Sequence, residues 1–135
     1  MFEWNENFSV KVPFLDDQHK KLFEIGERIN ELLLDHNGED SFDDIMDQID
    51  ELESYTSYHF EEEEKMMKYF GYPELESHIQ EHQKFINYLR SIDVIEVDGN
   101  QLEMLTELVR FIAKWIFGHI NSVDFLYSDY MIENR

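Results

Sequence analysis

Side chains that belong in a core step along this sequence at alternating intervals of four and three residues. They do so in four separate stretches, and only a helix keeps such a stripe on one face. The first stripe is Leu15, His19, Leu22, Gly26, Ile29 and Leu33. The second is Ile45, Ile49, Leu52, Thr56, His59, Glu63, Met66 and Phe70. The third is Leu75, His78, His82, Phe85, Leu89 and Ile92, and the fourth is Leu105, Leu108, Ile112, Trp115, His119, Val123 and Leu126.

Turn signals fall between the stripes. Pro13 with Asp16 and Asp17 precedes the first, and Asn37-Gly38 ends it. Ser41 can cap the second helix, Gly71 ends it, Pro73 suits the first turn of the third, and Asp98-Gly99-Asn100 precedes the fourth. No β-branched alternation points to a strand. Short connections make consecutive helices antiparallel. The expectation is an all-α, up-down-up-down four-helix bundle forming one domain over 1–135. It has an extended N-terminal arm over 1–13 and helices over about 16–36, 41–70, 73–93 and 101–130.

Composition narrows the function. The 135 residues carry a formal charge of −20 and no cysteine. Disulfides, zinc–thiolate sites and iron–sulfur clusters are excluded, so any metal must take nitrogen and oxygen ligands. No basic stripe offsets the acidity, which argues against a nucleic acid or an anionic membrane as partner. No apolar run reaches the ~20 residues of a membrane span. The N-terminus, MFEWNENFSV, lacks a basic and an apolar region, so no signal peptide is expected and a cytoplasmic location follows.

Six histidines remain to be explained, and five lie on the stripes: His19, His59, His78, His82 and His119. Glu63 joins them where leucine would be expected. One histidine on an apolar face is ordinarily a satisfied core residue. Five with a carboxylate are different, because an unpaired buried glutamate costs several kcal/mol unless it is protonated or bound. His59 and Glu63 are four residues apart, as are His78 and His82, so each pair shares a helix face about 6 Å apart along the axis. His19 and the His78/His82 pair come early in their helices, and the other three come late in theirs. In an antiparallel bundle all six therefore fall at one end.

Asp124 stands five residues after His119, which is about 140° round a regular helix. On spacing alone it is either a solvated residue or, if the helix widens locally as in a π-bulge, a seventh inward group. Imidazoles with carboxylates favour iron, manganese, zinc or copper over magnesium or calcium, and seven ligands suggest two ions. His36 is off the stripes and reads as a surface residue near a helix end. The Glu61–Glu64 run reads as solvated apart from Glu63.

The motifs DQHKKL at 17–22, HFEEE at 59–63, HIQEH at 78–82 and WIFGHINSVD at 115–124 resemble the hemerythrin family in its single-domain bacterial form. Trp4 resembles that family's N-terminal arm. The resemblance runs over nearly the whole chain. It implies two iron ions per chain with an oxo or hydroxo bridge. His78, His82 and His119 would hold one iron, His19 and His59 the other, and Glu63 and Asp124 would bridge both. It also makes Asp124 an inward ligand. Two six-coordinate ions so held leave one position open, on the iron with two histidines, and an open position is where O2 can bind. By the same resemblance an apolar O2 pocket is lined by Leu22, Phe60, Trp115, Ile116 and Ile120.

The reading is reversible O2 binding for storage, transport or delivery by a carrier rather than an enzyme, with O2 and an unidentified protein recipient as partners. The alternatives are an O2 or redox sensor acting through a separate partner chain and a di-iron peroxidase or NO-handling enzyme. The apolar wall weighs against the enzyme, since O–O cleavage calls for a positioned proton donor.

Overall fold

The computed structural model describes residues 1–134, including all of their side chains except those of residues 121–123. Helix α1, Pro13–Leu34, starts on a proline whose fixed φ suits the first turn. It is followed by α2, Phe42–Phe70, and α3, Leu75–Arg90. A short helix α4, Val94–Gly99, occupies the connection to α5, Gln101–Trp115. A π-helical segment, Ile116–Asp124, then leads into α6, Phe125–Glu133. Helix α1 packs on α2 and α5, and α2 packs on α3. The bundle closes through aromatic contacts between α3 and α5, where Phe85 lies 5.0 Å from Phe111 and Tyr88 stacks on Phe111 at 3.8 Å. The fold is the expected all-α four-helix bundle, with α4 added where the sequence reads only a turn.

Several local readings shift. Ser41 sits at the N-terminus of α2, but its side chain makes no cap. Its neighbour Asp40 accepts the Phe42 N–H at 3.0 Å, and Gln101 reaches across to accept the Ser41 N–H at 2.8 Å and donate to Asp40. Gly71 ends α2 with φ +67°, a conformation that a side chain would disfavour. Pro73 lies in the turn before α3 rather than in its first turn.

The fourth stripe changes register. Leu126, read as a core position, is 66% exposed, while Tyr127, Ser128 and Met131 are buried. Val123 lies outside the described side chains. The π segment accounts for the change: its wider turn accommodates an extra residue, so every later position moves round by one.

The buried apolar residues form two clusters. The larger contains Leu22, Ile29, Leu52, Phe85 and Ile112, and the smaller contains Val10, Leu15, Met67, Tyr127 and Met131. Between Leu15 and Leu22 on α1, and between Phe60 and Met67 on α2, the buried side chains include His19 and Glu63. A polar layer therefore divides the core.

The N-terminal arm, interrupted by a 3-10 turn at Glu6–Phe8, closes over α1. Phe2 is buried against Gly26, where an added Cβ would come within 3.1 Å of the ring. That contact explains a glycine on the first stripe. Glu27 accepts the Phe2 N–H at 2.8 Å. Asp16 accepts the Ser9 hydroxyl at 2.6 Å and the Val10 N–H at 2.8 Å. Trp4 and Phe8 pack edge-on against Phe23, and Phe8 also meets Phe117 of the π segment at 5.8 Å.

Candidate metal centre

Four elements, α1, α2, α3 and the π segment, contribute to the polar layer. His19 comes from α1, His59 and Glu63 from α2, His78 and His82 from α3, and His119 and Asp124 from the π segment. All seven are buried, and His19 and Glu63 are wholly inaccessible. Their ligand atoms form two overlapping groups, within each of which all atoms lie within 4.8 Å of one another. One group is Glu63, His78, His82, His119 and Asp124, and the other is His19, His59, Glu63 and Asp124. The two carboxylates belong to both.

Asp124 reaches the layer because the backbone is π-helical from residue 116 to its own position. In this segment the i,i+5 pair faces inward, with Asp124 Oδ1 3.2 Å from His119 Nε2 and 3.0 Å from His78 Nε2. Its second oxygen lies 3.3 Å from His19 Nε2. Glu63 Oε1 lies 2.8 Å from His78 Nε2 and 3.1 Å from His82 Nε2, while Oε2 is 3.3 Å from His59 Nε2.

Several of these atoms are close without being aligned as hydrogen bonds. His19 Nε2, His119 Nε2, Glu63 Oε2 and Asp124 Oδ2 are buried and have no hydrogen-bond partner. A buried polar atom without a partner costs about 1–3 kcal/mol. Four of them aimed at one centre suit metal ligation, which would satisfy them together.

The charges agree. Burial disfavours the charged ring of His19, but its contacts with Asp124 and Glu63 outweigh this and lift its pKa to about 9. His78 is raised to about 9 by the same balance. Burial lowers His59 and outweighs the attraction of Glu63. Burial alone would raise Glu63, yet the surrounding imidazoles, His59 foremost, hold it well below the usual carboxylate range. The cluster favours two carboxylates in their charged form among cations, which protons or metal ions can provide.

A family model described as the hemerythrin HHE cation-binding domain matches residues 10–130. The chain belongs to the hemerythrin family. It is 38% identical over 129 residues to a bacteriohemerythrin of Clostridium acetobutylicum, covering 96% of this chain and 100% of that protein. It is 28% identical over 127 residues to a myohemerythrin of Theromyzon tessulatum, covering 94% and 91%. A solved hemerythrin carrying a leucine-to-alanine substitution superposes with a TM-score of 0.75 at 26% identity, covering 96% of this chain and 95% of that one. The hemerythrin family binds a di-iron centre, and the two overlapping ligand groups suit two metal ions.

The five apolar residues expected around an O2 position lie in or against the larger apolar cluster of the core. Two of them cover imidazoles of the three-histidine group. Phe60 stacks on His82 at 4.0 Å and 5°, and Trp115 stacks on His119 at 4.0 Å and 16°. Leu22, Ile116 and Ile120 are buried. Tyr127 lies 6.0 Å from His78, with its hydroxyl donating to the Met131 sulfur at 3.6 Å.

The sequence reading misses the side chains behind the histidines. His59 Nδ1–H donates to Gln18 Oε1 at 2.5 Å. His82 Nδ1–H donates to Glu64 Oε2 at 2.8 Å, and His119 Nδ1–H donates to Glu81 Oε2 at 2.5 Å. Glu64 is thus not merely a solvated member of its acidic run: its side chain is 28% exposed and faces the site. Gln18 was visible beside His19, and Glu81 beside His82, but each supports a histidine on a different helix, which spacing along one helix does not reveal.

Proposed function

We propose that this chain binds O2 reversibly at a di-iron centre. His78, His82 and His119 would hold one iron, His19 and His59 would hold the other, and Glu63 and Asp124 would serve both, with an oxo or hydroxo group from solvent between them. The observation that carries the reading is the inequality of the two ligand groups. They share both carboxylates but contain three imidazoles and two. The two-imidazole side has one ligand fewer and is where an exogenous molecule can bind.

The iron pair, when bound, supplies the electrons that O2 takes up and returns. The protein supplies the surroundings. Leu22, Ile116 and Ile120 are buried and would wall the open side, while Phe60 and Trp115 stack on the rings of His82 and His119. None of these five side chains is an acid or a base, so the wall excludes water and delivers no proton. That favours reversible binding over O–O cleavage and supports a carrier over an enzyme. Among the described residues no helix is long and apolar enough to cross a membrane, and a cytoplasmic location is part of the proposal.

The test is to reduce the iron-loaded protein without air and add O2. A coloured adduct that forms and reverses under vacuum supports the proposal. Rapid bleaching with turnover of a co-substrate would favour an enzyme, and failure to bind two irons per chain would refute the centre. His59→Leu should weaken one iron and abolish the adduct.

A further inference from the structure

The side chains behind the histidines are not alike, and their difference follows the division between the two ligand groups. In the three-histidine group, His82 and His119 each donate from Nδ1 to a carboxylate, Glu64 at 2.8 Å and Glu81 at 2.5 Å. In the two-histidine group, His59 donates to the neutral amide oxygen of Gln18 at 2.5 Å. His19 Nδ1 and His78 Nδ1 have no hydrogen-bond partner. One group therefore has two carboxylate-backed rings, and the other has one amide-backed ring and none backed by a carboxylate.

The chemistry of the two backings differs. A carboxylate accepting from Nδ1–H fixes the tautomer that turns the Nε2 lone pair inward, raises the basicity of the ring and brings negative charge near the metal. The last two effects favour a more highly charged ion. An amide oxygen fixes the ring without adding charge. The two carboxylates reach the site from different helices, α2 and α3, and both keep contact with water, with side chains 28% and 40% exposed. Changing them alters charge behind the ligands without opening the core.

We propose that Glu64 and Glu81 are positioning residues that make the three-histidine position the tighter metal site and the one that holds its iron more firmly in the ferric state. Gln18 leaves the two-histidine position the weaker site and the more easily reduced iron. This inference rests on the dinuclear reading above, and it concerns how that centre is biased rather than what it binds.

The experiment uses the full chain stripped of metal and titrated with cobalt(II) against a competing chelator. Wild type should bind two ions in unequal steps, with His59→Leu removing the weaker one. Glu64→Gln and Glu81→Gln should each weaken the tighter step by about 10–100-fold and leave the weaker step nearly unchanged. Glu61→Gln, a neighbouring carboxylate paired with Lys65, should change neither step. In a mediated redox titration of the iron-loaded protein, each substitution should raise the midpoint of the three-histidine iron by about 59 mV for every tenfold change in its one-electron equilibrium. A purely structural role would not move that midpoint selectively. Equal weakening of both steps, or two wild-type-like steps with unshifted midpoints in both variants, overturns the inference. Failure of wild type to bind two ions would instead overturn the dinuclear reading itself.

Discussion

Glu63→Gln tests whether the polar layer is held by charge or by shape, because it keeps the volume and removes the charge. In the metal-free protein Glu63 is wholly buried among four imidazoles. Lifting His19 from 6.5 to about 9 corresponds to about 3 kcal/mol of preference for the charged ring, shared between Asp124 and Glu63. His78, raised to about 9 by the same two carboxylates, loses a partner as well. Removing one member of a buried pair ordinarily destabilises by about 3–5 kcal/mol, and a value of about 3 kcal/mol is expected here. The sign depends on pH. Because the folded pKa values of His19 and His78 lie above 6.5, their contribution is complete below pH 6.5 and is lost as pH rises through about 9. The depressed pKa of Glu63 makes its contribution present above the ordinary carboxylate range and lost in acid. The substitution should therefore lower the unfolding midpoint by roughly 10 °C at pH 6. At pH 10 it should be neutral or stabilising, since the carboxylate then lacks charged partners. Thermal unfolding of metal-stripped protein followed by circular dichroism reads both values. An equal loss at both pH values would refute the reasoning and assign the effect to packing.

Phe2→Ala removes a buried ring and should destabilise by about 3 kcal/mol in denaturant unfolding, while Gly26→Ala should also lower the midpoint by forcing the ring away. An unchanged midpoint in both would show that the arm adds nothing to stability. At Gly118 an added Cβ meets nothing within 4 Å, so Gly118→Ala should raise stability by about 0.5–1 kcal/mol through reduced chain entropy, as read by thermal unfolding. Ile116 is buried and stiff at χ1, and Ile116→Leu should alter the autoxidation rate of the O2-loaded protein by changing access to the site; an unchanged rate would remove Ile116 from gating.

The bundle was legible because its stripes are long and their periodicity is local. The six seam ligands were legible because shared depth follows from alternating helix directions, and His19 and Glu63 need only be placed on the inward faces of α1 and α2 for the relation to hold. What escaped depends on pairs from different helices or on a local break in periodicity. Gln18 sits beside His19 but serves His59, and Glu81 sits beside His82 but serves His119. Glu64 looked like one more solvated acid because its run has no period. Ser41 looked like a cap, but the backbone there presents its N–H to Gln101, 60 residues away, and Asp40 takes over the cap. Helix α4 is a single short element whose only buried residue is Val97, too little for a periodic signal.

Asp124 shows why a break in periodicity can be essential. A regular helix puts residues 119 and 124 about 140° apart, and the same geometry would keep Leu126 on the buried stripe. The structure does the opposite at both positions: Asp124 is buried and Leu126 is exposed. One π-helical segment accounts for both, since the residue it accommodates turns Asp124 inward and advances Tyr127 and Met131 into the place that the stripe assigns to their neighbours. A carboxylate four residues after His119 on a regular helix would repeat the relation of Glu63 to His59. At five residues, Asp124 instead places one oxygen 3.0 Å from His78 and 3.2 Å from His119 and the other 3.3 Å from His19. Its two oxygens thus face different ligand groups, which is the geometry a bridging carboxylate requires. The irregular turn is bordered by Phe8 of the arm against Phe117 and by Tyr127 beside His78, so the wider helix is packed on both sides of the centre it completes.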